Sequence, residues 1–228
     1  MFCPKCGTQN PDTAATCSKC GSSLGARSAG GGAGDKFKAA SQDALTAFKT
    51  FATDPVGGLP AAANSLGNAR AMGVGIIFGV VFTLLTGFGI YRVFLSGFGG
   101  PGVGGFLKML LVAAVPFVCL AASGMAVRKL FGGQGGLGMD TFIAGAACLP
   151  FGVVMLLGSL LGAGNLDVIY ALSMFAICFT ILMLFSGLTR IGKTSERAAT
   201  IAVPLMLLVS AWLAKTIYAS MLRSSIGF

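Results

Sequence analysis

Residues 71–91 read AMGVGIIFGVVFTLLTGFGIY, a stretch without one charged side chain. At a rise of about 1.5 Å per residue a helix of this length covers roughly 30 Å, the thickness of a bilayer's hydrocarbon core. Four more apolar stretches of similar length follow, at 109–127, 141–161, 168–188 and 198 to about 222. In the last, Lys215 lies close enough to the end to carry its ammonium to the interface. The chain as a whole is 55% hydrophobic and only 10% charged, where soluble domains carry about 25% charged residues. With a mean hydropathy of +0.85, a disordered chain, a nucleic-acid-binding globule and a disulfide miniprotein are excluded. The fold class expected is all-α, a polytopic membrane bundle of five spans.

Charge gives the orientation. Seven Lys and Arg precede residue 71; Arg128 and Lys129 fall in the second inter-span loop, and Arg190, Lys193 and Arg197 in the fourth. The other side holds Arg92 and Lys108, then Lys215 and Arg223. Twelve against four places the N-terminus in the cytoplasm and, with an odd number of spans, the C-terminus across the membrane. The net charge of +9 is spread in ones, twos and threes between apolar runs, so nucleic acid is not an expected partner. Histidine is absent, which removes imidazole catalysis and imidazole metal ligation. The opening MFCPKCG has no basic n-region or apolar h-region, and the N-terminus is expected to be retained.

Four of the seven cysteines form two pairs, Cys3-x-x-Cys6 and Cys17-x-x-Cys20, each followed by glycine, Gly7 and Gly21. A two-residue gap lets a tight turn bring two thiolates to one ion, and the glycine supplies the backbone freedom the turn needs. Two such knuckles make a tetrahedral four-cysteine site for structural zinc, with Cys3, Cys6, Cys17 and Cys20 as ligands. The interval between the pairs is shorter than in most ribbons, so a minimal zinc ribbon is expected. So short a segment cannot bury a core of its own, and zinc, worth roughly 10–16 kcal/mol in small fingers, would fold it. A reducing cytoplasm agrees with free thiolates.

The expected division is a ribbon at 1–24, a flexible Gly/Ser/Ala linker at 25–35, an amphipathic juxtamembrane segment at 36–70 and the membrane domain at 71–222. In the third of these Phe37, Ala40, Ala44, Phe48 and Phe51 recur at three- and four-residue steps before Asp54-Pro55 ends the helix. Basic and amphipathic, it suits either a helix lying on the bilayer or one packed on the membrane domain.

Asp140 and Asp167 stand at span mouths, and no acidic residue lies deeper, which argues against ion-coupled transport. Pro116, Pro150 and Pro204 fall inside spans and should kink a helix or free a carbonyl. Gly75-x3-Gly79 and Gly158-x3-Gly162 permit close helix approach. Cys119, Cys148 and Cys178 are expected to be small buried hydrophobes. Gly187-Leu-Thr-Arg-Ile-Gly192-Lys193-Thr194 matches the Walker A pattern, but a phosphate loop needs a strand before it, and here a span precedes. No Asp follows Asp167 to hold magnesium. The glycine runs Gly97, Gly99, Gly102 and Gly133, Gly135, Gly138 imitate a dinucleotide fingerprint and are expected to be flexible linkers. No catalytic residue and no enzymatic activity are expected.

Asp54-Pro55, Leu149-Pro150, and the run from Gly187-Leu-Thr-Arg190 through Ser195-Glu-Arg-Ala198 to Ala202-Val-Pro204 resemble the bacterial branch of the Yip family. The resemblance covers about residues 45 to 222 and implies a five-span membrane protein with a cytoplasmic N-terminus, in a bacterial inner membrane. For the eukaryotic members of the family it implies a role in membrane trafficking or organisation through protein partners; the bacterial role it implies is far less defined. The acidic-Leu-Tyr-Gly-Pro signature of eukaryotic members is absent. Two functions are compatible with these features. One is a non-enzymatic adaptor or scaffold whose ribbon recruits a cytosolic or membrane protein or a second copy of the chain. The other is a transporter or lipid-handling protein for a neutral small molecule or lipid.

Overall fold

The computed structural model describes residues 8–11, 18–20, 33–54, 57–98, 102–161 and 166–226. The chain divides into two compact units, Met1–Ala39 and Ala40–Phe228. Among the described residues six α-helices follow one another: α1 (Ala33–Thr53), α2 (Gly58–Phe98), α3 (Gly102–Leu130), α4 (Leu137–Leu161), α5 (Leu166–Ser186) and α6 (Glu196–Ile226). A π-helical turn, Gly187–Ile191, extends α5.

Five of these helices are long and apolar enough to cross a membrane, over Gly58–Arg92, Gly102–Leu130, Leu137–Leu161, Asp167–Ile191 and Glu196–Ser220. Their outward faces carry Val80, Leu84, Leu111, Val118, Phe175, Leu182, Ile201 and Leu208, all exposed. In water so continuous an apolar surface would drive aggregation; in lipid it is the appropriate solvent-facing surface. The protein is therefore an integral membrane protein. The helices overrun the apolar stretches because hydrogen bonding continues into the polar flanks, and α3 takes Arg128 and Lys129 into its last turn instead of leaving them in a loop.

The part of α1 in the second unit packs on the membrane domain. Ala44, Ala47 and Phe51 form its buried stripe, and Phe51 meets Phe78 of α2 edge to face at 5.5 Å. Asp54 ends it by folding back on the turn: its Oδ1 accepts from Gly57 N–H at 2.9 Å and its carbonyl from Gly58 N–H at 2.7 Å. α2 then contains a break at Gly67, where φ is 66° and ψ 168°. Only glycine adopts this conformation readily, and it separates 58–66 from the long straight part that spans.

That straight part runs alongside α4 in the same direction, and glycines set the spacing. A Cβ on Gly75 would stand 2.5 Å from Phe142 N, and one on Gly145 2.5 Å from Gly75 O. Further along, Gly152 faces Phe82 and Gly89 faces the Met155 carbonyl. In lipid, where apolar burial gives helices little reason to associate, such backbone approach supplies the van der Waals contact that holds them. Phe82, Phe142, Met183 and Leu184 fill the interior around the pair. Of the expected small-residue motifs, Gly75 packs on α4, Gly79 lies under the ring of Phe117 and Gly158 faces Ile169; Gly162 lies outside the described residues.

Pro116, Pro150 and Pro204 lie within continuous helices. Pro150 deprives the Ala146 carbonyl of its helical donor, and one residue on, the buried Thr180 hydroxyl reaches the Ala147 carbonyl at 2.8 Å. Cys148 is buried and Cys119 half-buried, but Cys178 is exposed on the outer face of α5. Burial was the wrong expectation there, because a lipid-facing position suits the same small apolar side chain.

Candidate metal centre and the polar end of the bundle

In the first unit, Gln9 makes an isolated β-bridge and residues 18–20 form a turn. Asn10 is 4% exposed. Its Oδ1 accepts from Ser18 N–H at 2.9 Å and from Ser18 Oγ at 3.0 Å, while its amide donates to the Thr8 carbonyl at 2.8 Å. Ser18 is the residue after Cys17, inside the second knuckle, so Asn10 ties the segment following the first pair to the turn of the second. The neighbouring Cys20 is exposed in that turn. Cys3, Cys6 and Cys17 lie outside the described residues, as does the expected linker up to residue 32. Of the four expected ligands, Cys20 is the one among the described residues, and the Asn10–Ser18 hydrogen bonds join the segments that follow Cys6 and Cys17 in the chain. Asn10 carries no metal-ligand signature, so its part was not visible in cysteine spacing.

A second polar assembly lies at the end of the membrane unit where α2 begins its straight run, α3 and α5 end, and α4 and α6 start. Arg128 and Asp140 form a forked ion pair: Nε is 3.1 and 3.0 Å from the two carboxylate oxygens and Nη2 is 2.8 Å from Oδ2. The Asp140 side chain is 2% exposed and that of Arg128 11%. The remaining guanidinium nitrogen donates to the Gly135 carbonyl at 3.1 Å. Placed in the first turn of α4, the carboxylate also faces the positive end of that helix.

Glycines fasten the neighbouring segments to this pair. Gln134 N–H donates to the Gly192 carbonyl at 2.7 Å, joining the α3–α4 and α5–α6 connections. Gly133 has that same carbonyl and Thr194 Oγ1 where a Cβ would stand, and Gly136 and Gly138 lie against Asn68. Asn68 Oδ1 accepts from Met139 N–H at 3.3 Å. Gly133 packs against the α5–α6 connection, Gly135 takes a φ of 102° and Gly138 lies in the first turn of α4 against Asn68, so the run is not the flexible linker expected from composition. Gly99 lies outside the described residues.

The Walker-like run occupies the α5–α6 connection. Gly187 and Leu188 are buried in the π-helical turn, Ile143 fills the place of a Gly187 side chain, and Gly192 N–H closes the wide turn on the Gly187 carbonyl at 2.9 Å. Lys193 has φ of 52° and is exposed, and Thr194 is buried with no partner for its hydroxyl among the described residues. A helix, not a strand, therefore leads into these glycines.

Residues 2–24 match the zinc-ribbon domain family. The chain therefore joins an N-terminal zinc-ribbon domain to an all-helical membrane unit. No curated protein matches the chain. No solved structure matches it either.

Proposed function

We propose that this protein is a non-enzymatic membrane adaptor or organising scaffold, in which the helical unit is an anchor and the ribbon, on the cytoplasmic side of a bacterial inner membrane, engages a protein partner. The observation that carries this reading is a zinc-ribbon domain joined to a membrane unit whose central pair, α2 and α4, is closed backbone to backbone by Gly75, Gly145 and Gly89. A pair packed so tightly favours a fixed anchor over a carrier that must open a route for a neutral solute. The resemblance to bacterial Yip proteins supports the same reading. Cys3, Cys6, Cys17 and Cys20 would hold one zinc ion, which supplies the crosslink that the small head needs in place of a hydrophobic core. Asn10 positions the second knuckle for it through Ser18. The Walker-like segment has no hydrolytic role here; its exposed Lys193 belongs to the basic rim of the bundle.

The test is affinity capture from detergent-solubilised membranes, comparing the intact chain with one lacking residues 1–24 and with the Cys6→Ser, Cys17→Ser double variant. Protein partners retained by the intact chain should be lost from both altered chains, and metal analysis should give one zinc per intact chain and none in the double variant. The same captured set from all three would overturn the adaptor reading.

A further inference from the structure

α3 and α6 do not close on one another along their full length. Between them lies an open groove of about 600 Å³, walled by Val127 and Leu130 of α3 and by Ile201, Leu205, Met206 and Val209 of α6. From Arg197 to Val209 it follows α6 for about 18 Å at the helical rise, slightly more than one leaflet of a hydrocarbon core about 30 Å thick. Its polar lining is graded. Ser123, toward the apolar end, donates to its own helix at Cys119 O over 2.6 Å and so offers little to a ligand. At the mouth are Ser195, whose Oγ accepts from Ala198 N–H as the cap of α6, and the exposed guanidinium of Arg197.

Charge at the mouth is predominantly positive. Arg197 is the charged residue of the lining, and the exposed Lys129, Arg190 and Lys193 stand on the same end of the bundle. Asp140 is neutralised by Arg128, and Glu196, although exposed next to Arg197 in the chain, is not part of the lining. The first turn of α6 adds the positive end of a helix dipole. An apolar slot one leaflet deep with a cationic mouth at headgroup level complements an amphiphile with a long tail and an anionic head, and basic pockets between spans recognise lipid headgroups in this way. A peptide would bring backbone polar groups that the apolar walls cannot satisfy.

We propose that the groove between α3 and α6 holds one acyl chain of an anionic glycerophospholipid, with its phosphate at Arg197 and Ser195. This site does not depend on the adaptor reading, since an anchor and a carrier could both contain it, and its test does not use the ribbon.

The purified full chain is incubated in mild detergent with dioleoylphosphatidylglycerol or dioleoylphosphatidylcholine, and bound lipid is counted by native mass spectrometry. One phosphatidylglycerol per chain should survive, with phosphatidylcholine held about tenfold more weakly. Arg197→Gln should lower phosphatidylglycerol retention about fivefold, the equivalent of one basic contact. Ala126→Phe, on the groove wall, should displace the lipid while leaving helicity unchanged. If that variant does not fold, Ile201→Trp repeats the test at a position already 66% exposed. Equal retention of the two lipids would overturn the proposal. So would phosphatidylglycerol binding that survives both groove-filling variants, or a dimer of the chain that those variants separate.

Discussion

Asp140 is the residue on which the polar end of the bundle turns. Its carboxylate is almost wholly buried against the Arg128 fork, and Arg128 in turn holds the Gly135 carbonyl. Removing one member of such a pair leaves the other charge desolvated without compensation, whereas removing both can be nearly neutral. Asp140→Asn should therefore lower the stability of the detergent-solubilised protein by about 3 kcal/mol in a thermal melt, and Arg128→Met with Asp140→Leu should recover most of it. A double variant no more stable than the single one would show that the hydrogen bond to Gly135, not the pairing of charges, is what matters. The sequence shows both residues at the edges of apolar stretches, but nothing in hydropathy says that two charges across a connection will turn toward each other. Hydropathy alone therefore leaves Arg128 in a loop, whereas it lies in the last turn of α3. The cysteine pairs are the opposite case: a metal imposes its ligand spacing on the sequence directly, so the zinc-ribbon domain was legible, while the supporting role of Asn10 came from tertiary hydrogen bonds alone.

At the level of the helix, the distinction is between glycines that permit contact and glycines that merely sit in a helix. Gly75 belongs to the first kind, with Phe142 N 2.5 Å from the site of a Cβ; Gly124 belongs to the second, its nearest neighbours being Met206 Cε at 3.8 Å and Asp140 Cβ at 3.9 Å. Gly75→Ala must push α2 and α4 apart, and overpacking of this kind costs about 1–3 kcal/mol. Gly124→Ala should instead stabilise by roughly 0.5–1 kcal/mol, since alanine loses less conformational entropy in a helix. Thermal melts of the two variants in one detergent check the contrast, and a Gly75→Ala protein as stable as the parent would remove glycine packing as the basis of the central pair. Which stretches form spans was legible because length and apolarity are local properties. Their limits were less so: α2 starts at Gly58 and breaks at Gly67, since a left-handed glycine inside a helix has no signature distinct from any other glycine. Composition likewise gave Gly133 and its neighbours as a linker, although their small size is what lets two connections dock.

For the whole molecule, orientation decides what the ribbon and the lipid groove can meet. The polar end of the bundle carries the exposed Lys129, Arg190, Lys193 and Arg197, while the opposite end of the described helices presents Arg92 and Lys108. Basic residues are retained on the cytoplasmic side during insertion, so the end with the Arg128–Asp140 pair should face the cytoplasm together with the N-terminus. Which helix sits beside which was not legible from the spans. The distribution of basic residues does not depend on helix neighbours, and Arg128 in the last turn of α3 keeps its charge on the same end. The test places single cysteines at exposed positions of opposite ends, Lys193→Cys and Val103→Cys, in a chain whose Cys119, Cys148 and Cys178 are replaced by alanine. A membrane-impermeant maleimide applied to intact cells should label the second position and spare the first, with both reacting once the membrane is permeabilised. The same chain without either introduced cysteine, which keeps the four ribbon cysteines, is labelled in parallel and its signal subtracted. Labelling of Lys193→Cys in intact cells would reverse the molecule, placing the ribbon in a compartment where its thiols oxidise and the lipid groove in the outer leaflet, and the cytoplasmic adaptor reading would then fail with the orientation.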